Sequence, residues 1–86
     1  MKKEDIMNWL MDWFKTNSIN GDAEIEDLIS ASYFDAGLID SFIFIQLIAD
    51  IEEKYHIEFG NEQFEDRNFS TIEGLAEIIE RTYKNV

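Results

Sequence analysis

Gly37-Leu38-Ile39-Asp40-Ser41-Phe42 sets a glycine, an acid and a serine at the head of a run whose apolar residues recur at helical spacing. From Ser41 to Tyr55 the pattern predicts a helix, with Ile45, Ile48, Ile51 and Tyr55 on one stripe. Asp40 fits its N-cap, because a short carboxylate accepts a hydrogen bond from a first-turn amide. Ser41 then stands at the positive end of that helix, where free amides and the dipole receive a phosphate group.

Outward from this segment the chain reads as helix and loop. Ile6, Leu10, Trp13 and Phe14 recur at spacings of three and four and predict an amphipathic first helix from about Lys3 to Thr16, with Trp9 and Trp13 as core residues. Asn17 to Gly21 ends it, and Asp22 to Asp40 reads as a long loop pinned by apolar anchors, with room for one helical turn. After the Gly60-Asn61 break, Glu62 to Asp66 predicts a short third helix that buries Phe64. Ser70-Thr71-Ile72-Glu73 has the form of a capping box, and Leu75, Ala76, Ile78, Ile79 and Tyr83 form the buried face of a fourth helix. Arg81 and Lys84 suit its negative end. The expected fold is all-α: a small four-helix bundle with three long helices and one short, forming a single domain over residues 1–86.

Composition narrows the function. A domain of 86 residues buries about two-thirds of its unfolded surface, which leaves little depth for an active-site cleft. With no cysteine and one histidine, His56, there is neither a disulfide framework nor a zinc cluster. Thr16 to Asp27 approximates a calcium-loop spacing around Gly21, but its end ligands would be Thr16 and Asp27, so it is not read as a metal site. A net charge of −12 disfavours nucleic acid and anionic membranes and favours a partner protein with a basic patch. Asp5, Asn8 and Asp12 interrupt what a signal peptide would need as a continuous apolar stretch. The expectation is a cytoplasmic monomer without membrane insertion.

Ser41 is not equipped as a hydrolytic nucleophile. His56 lies fifteen positions on, about 22 Å along a continuous helix, and Ile39 and Ile43 stand where a nucleophile elbow needs glycines. The chain is therefore read as non-catalytic, with Ser41 a substrate for some other enzyme.

Three stretches carry a resemblance: Tyr33-Phe34-Asp35-Ala36-Gly37-Leu38-Ile39-Asp40-Ser41, then Gln46-Leu47-Ile48-Ala49-Asp50-Ile51-Glu52-Glu53-Lys54-Tyr55, then Phe69-Ser70-Thr71-Ile72-Glu73-Gly74-Leu75-Ala76. On these residues the chain resembles the acyl carrier protein family, whose members bear 4′-phosphopantetheine on the serine of an Asp-Ser pair. The resemblance implies that a phosphopantetheinyl transferase attaches the arm to Ser41 from coenzyme A. It implies too that an adenylate-forming acyl or aminoacyl ligase loads cargo as a thioester, and that a downstream acyl-transfer enzyme removes it. By the same analogy Asp40 either caps its helix alone or also meets the transferase. Gly37 is expected to take the positive φ of a tight turn that brings the loop onto the helix.

The chain departs from carriers of fatty acid synthesis, which have a leucine after the serine and acids early in the helix. Here stand Phe42, Ile43, Phe44 and Gln46, with acids only later, at Asp50, Glu52 and Glu53. Phe42, Ile43 and Phe44, with those three acids, are the candidate partner surface, against alternatives in which Ile43 and Phe44 are core and the acids are a solvated face. The pattern is closer to freestanding carriers of D-alanine or other amino acids, and the bulky aromatics speak for a short or aminoacyl cargo. The competing reading is a small acidic helical adaptor that binds a basic partner without any prosthetic group.

Overall fold

The computed structural model describes residues 2–84, the Lys84 side chain excepted. Four α-helices follow in order: α1 Lys3–Asn17, α2 Ser41–Tyr55, α3 Asn61–Glu65 and α4 Ile72–Lys84. Two 3-10 turns interrupt the connections, η1 at Ile25–Asp27 and η2 at Arg67–Ser70. Among the described residues there is no strand, only one isolated antiparallel bridge between Ser32 and Thr71. The four-helix bundle expected from the periodicity is the fold found.

The core forms where α1 meets α4. Ile6, Leu10, Trp13 and Phe14 of α1 are buried with Ile72, Leu75, Ala76, Ile78 and Ile79 of α4, and Leu47, Ile51 and Tyr55 of α2 close over them. No polar or charged residue is buried among those described. Burying each such aliphatic side chain contributes about 1.5–3 kcal/mol before conformational entropy is charged against it. Gly74 is buried beside η2, and a Cβ there would fall inside the van der Waals shell of the Asn68 backbone, so α4 approaches η2 as closely as it does only with glycine.

Helix α2 ends at His56, whose φ of 55° is left-handed; the His56 and Ile57 amides both donate to the Glu52 carbonyl, closing a Schellman-type turn. His56 is thus a helix-end residue, as its position suggested. The loop between α1 and α2 holds the one anticipated turn, η1, with Ile25 buried.

Four expectations need correction. Ile45 was placed on the buried stripe of α2, but it is 68% exposed and Leu47 is buried instead. Every residue from Phe42 to Ile48 except Gln46 is apolar, so spacing alone admits more than one face; Trp9 against Tyr55 and Tyr33 against Phe44 select the one that turns inward. Phe64 is exposed rather than buried: a five-residue helix lays it over the core's edge, in ring contact with Phe59 and Phe69. Thr71, not Ser70, caps α4, its Oγ1 accepting from the Gly74 amide at 2.9 Å. Ser70 belongs to η2 and donates to the Arg67 carbonyl, and Glu73 accepts from the Ser30 hydroxyl. Tyr83 also stays exposed, one turn past the last buried residue, Ile79. Arg81 pairs with Asp66 at 3.3 Å, while the expectation for Lys84 falls on a side chain outside the described residues.

Candidate functional site

The serine is presented by a loop that the rest of the fold holds still. Between η1 and α2 the chain is fastened to the start of α4: Glu73 N–H donates to Ile29 O at 3.0 Å and Tyr33 N–H to Ser70 O at 3.0 Å, on either side of the Ser32–Thr71 bridge. Tyr33 is fully buried, its hydroxyl donates to the Phe69 carbonyl, and its ring packs on Phe14. Burial raises its phenol well above the ordinary tyrosine range. The chain then doubles back, with the Ala36, Gly37 and Leu38 amides donating to the Ser32, Phe34 and Tyr33 carbonyls. Gly37 supplies the φ of +72° that this reversal requires, as expected from its place in the motif. Leu38 and Ile39 are buried immediately afterwards, and the Leu38 carbonyl accepts from Ile19 N–H at 2.7 Å.

These anchors deliver Asp40 and Ser41 to the surface at the start of α2. Asp40 is the N-cap: its Oδ1 accepts from the Ile43 amide at 2.9 Å, and its carbonyl accepts from Phe44 N–H at 2.9 Å. Ser41 is the first helical residue and is exposed. Its own amide and that of Phe42 precede the first intrahelical bonds and face the same end, giving a phosphodiester on the Ser41 oxygen two N–H donors and the positive helix pole. Ser41 is an exposed residue at this helix start, so the residues present fit such a group.

Around Ser41 the side chains divide. Phe42 is exposed, whereas Ile43 and Phe44 are half-buried and pack against the core while keeping part of their surface in solvent. Phe44 contacts the rings of Phe34, Tyr33 and Phe69. Two open grooves, of about 350 and 280 Å³, flank the Phe44 and Phe64 rings, which line both. Asp50 is half-buried: Trp13 Nε1 donates to its Oδ2 at 2.7 Å and Gln46 Nε2 to its Oδ1 at 2.8 Å. Glu52 Oε2 accepts from Phe59 N–H at 3.0 Å, and Glu53 is exposed. Asp50 and Glu52 therefore hold the fold together, a role that sequence spacing could not reveal because Trp13 is 37 positions from Asp50. His56 sits at the far end of α2, and no imidazole reaches Ser41.

An exposed serine at the start of a helix capped by the preceding aspartate, on a small helical bundle, is an arrangement suited to holding a group for other enzymes. Comparison with known proteins agrees. The phosphopantetheine attachment site family matches residues 18–79, most of the chain, and the chain belongs to that family of carrier proteins, bearing 4′-phosphopantetheine as a covalent cofactor. It is similar to the D-alanyl carrier protein of Streptococcus suis, 28% identical over 82 residues that cover 90% of this chain and 94% of the relative. It is likewise similar to D-alanyl carrier proteins of Streptococcus sanguinis, at 30% identity, and Streptococcus equi subsp. zooepidemicus, at 33%, each over 64% of this chain and 75% of the relative. No solved structure gives a significant match. As a carrier it works with partner enzymes, and no described helix is long and apolar enough to cross a membrane.

Proposed function

We propose that residues 1–86 act as one carrier domain that takes 4′-phosphopantetheine on Ser41 and presents an aminoacyl group, D-alanine first among candidates, to partner enzymes in the cytoplasm. The observation that carries this reading is the exposed Ser41 hydroxyl on the first turn of α2, beside a capping Asp40. In the attachment step Ser41 Oγ attacks the coenzyme A phosphorus that is joined to the pantetheine. The new O–P bond replaces the pyrophosphate bond, and 3′,5′-ADP leaves. The proton passes to a base on the transferase, because Asp40 Oδ1 is engaged with the Ile43 amide and His56 is a helix length away. Asp40 fixes the helix start and hence the direction of the Ser41 side chain, and it adds an acid to the surface that a transferase would meet. Once attached, the group supplies a thiol that carries cargo as a thioester.

On this reading the partner enzymes supply the chemistry and the chain offers the Ser41 hydroxyl. A ligase that activates the amino acid as an adenylate and an acyl-transfer enzyme that consumes the loaded form complete the set of partners. The names of the similar proteins favour D-alanine as cargo, and the half-buried aromatics beside Ser41 favour a small group over a long acyl chain. The test is to modify the protein with coenzyme A and a promiscuous transferase, then offer it to adenylate-forming ligases with D-alanine, other amino acids and fatty acids. Loading with D-alanine is expected. Loading with long fatty acids alone overturns the assignment of cargo.

A further inference from the structure

Aromatic rings and one carboxylate meet in the larger of the two grooves beside Phe44, of about 350 Å³. Phe34 enters it from the loop before α2, Phe44 from α2 and Phe64 from α3, while Asp66 and the η2 residues Phe69 and Ser70 complete the wall. The rings stand close, Phe34 to Phe44 at 5.3 Å, Phe44 to Phe69 at 5.9 Å and Phe64 to Phe69 at 5.1 Å between centroids. Phe34 and Phe64 are 42% and 45% exposed, so ring surface stays open to a visitor. Asp66 is the only charged residue lining the groove, and no base lines it. Its Oδ1 accepts from the Asn68 amide at 2.9 Å and its Oδ2 from Arg81 at 3.3 Å, which leaves about two of the four lone-pair sites of a carboxylate. Ser70 Oγ donates to the Arg67 carbonyl and keeps its lone pairs as acceptors. Such a lining offers acceptors and ring faces, and suits a small cation.

The geometry points to this groove as a subsite for the ammonium end of an aminoacyl cargo, held over the Phe34, Phe44 and Phe64 rings and beside the Asp66 carboxylate. The inference rests on the reading of Ser41 as the attachment site and of the cargo as aminoacyl. An α-aminoacyl thioester ends in a protonated amine with three N–H donors, the complement of what the groove presents. Ser41 and Phe44 are one helical turn apart, about 5–6 Å between Cβ atoms, whereas the arm has the length of roughly four extended residues, about 14 Å. The cargo therefore reaches the groove with length to spare. A plain acyl end of the same size has no donor for Asp66 or Ser70, so the subsite distinguishes cargoes by charge and not by bulk.

The experiment loads the full chain with amide-linked analogues of the D-alanyl and propionyl arms, delivered from the matching coenzyme A analogues by a promiscuous transferase, so that neither cargo hydrolyses. The alanyl amine, labelled with carbon-13 at its neighbouring carbon, is titrated by NMR. A chain of net charge −12 raises the amine pKa wherever the cargo lies, so the decisive variant is Phe64→Leu, which keeps charge and apolar bulk and removes one ring face. The amine is expected to titrate about half a unit lower on Phe64→Leu than on wild type, and lower again on Asp66→Asn than on wild type. Ile19→Ser, outside the groove, leaves the titration unchanged, and unaltered far-UV circular dichroism shows that the variants remain folded. Without any substitution, the backbone amides of Phe34, Phe44, Phe64 and Asp66 are expected to shift between the D-alanyl and propionyl carriers. Equal titration of wild type and Phe64→Leu overturns the inference, as do groove amides that are the same with both cargoes, and each leaves the attachment site standing. A chain that accepts no arm overturns the attachment site as well, and ligases that load fatty acids alone overturn the aminoacyl cargo on which the subsite depends.

Discussion

At the scale of single residues, Gly37, Asp40 and Tyr33 each do one measurable thing. Asp40→Ala removes the N-cap of α2 and is expected to cost about 1 kcal/mol in urea unfolding, whereas Ser41→Ala, at an exposed position, is expected to leave stability unchanged. Gly37→Ala forces a side chain into a left-handed backbone and should cost about 1–2 kcal/mol. Tyr33 governs alkaline behaviour. Its folded-state pKa is raised by burial above the ordinary 10.0, so its contribution is fully present below about pH 10 and is lost as pH rises above that value, because the unfolded chain releases the proton first. Tyr55 is shifted the same way, by burial and then by Asp5, and adds to the slope. Thermal unfolding followed from about pH 8 to 11 should show a falling midpoint in wild type and a shallower fall in Tyr33→Phe. Equal slopes would remove Tyr33 from the account. At this scale the sequence was legible wherever a role is local: the glycine, the cap and the serine lie within five residues. The Tyr33 bond to Phe69 and the Trp13 bond to Asp50 join partners 36 and 37 positions apart, and no spacing rule reaches them.

Among the elements, helix existence was readable and helix facing was not always so. α1 shows its buried set in its spacing because charged residues occupy its other face. The first half of α2 is apolar almost all round, so Ile45 and Leu47 were equally eligible and tertiary contact decided between them. Likewise Ser70 and Thr71 were both eligible caps, and the formation of η2 consumed the first. α3 is the element held least, with no buried residue in its five. Its amides are expected to exchange with deuterium far faster than those of α1 and α4, and comparable protection would contradict the view that it only rests on the core's edge. Gly74→Ala should separate η2 from α4 at a cost of about 1–3 kcal/mol, read as a lowered urea midpoint with unchanged slope.

For the whole molecule, charge and purpose fit together. Nineteen acids against seven bases set the chain against itself, so its thermal midpoint should rise as NaCl is raised from about 0.05 to 0.5 M, and a midpoint indifferent to salt would count against self-repulsion. On the proposed assignment, the bundle holds one loop and one helix start that present Ser41 at the surface. The measurement that tests this most directly is intact and fragment mass spectrometry after incubation with coenzyme A, magnesium and a phosphopantetheinyl transferase. The prediction is the added mass of one phosphopantetheine, carried on the fragment containing Ser41 and absent from Ser41→Ala. Wild-type protein left unmodified beside a control carrier that reacts, or Ser41→Ala modified as fully as wild type, would contradict it.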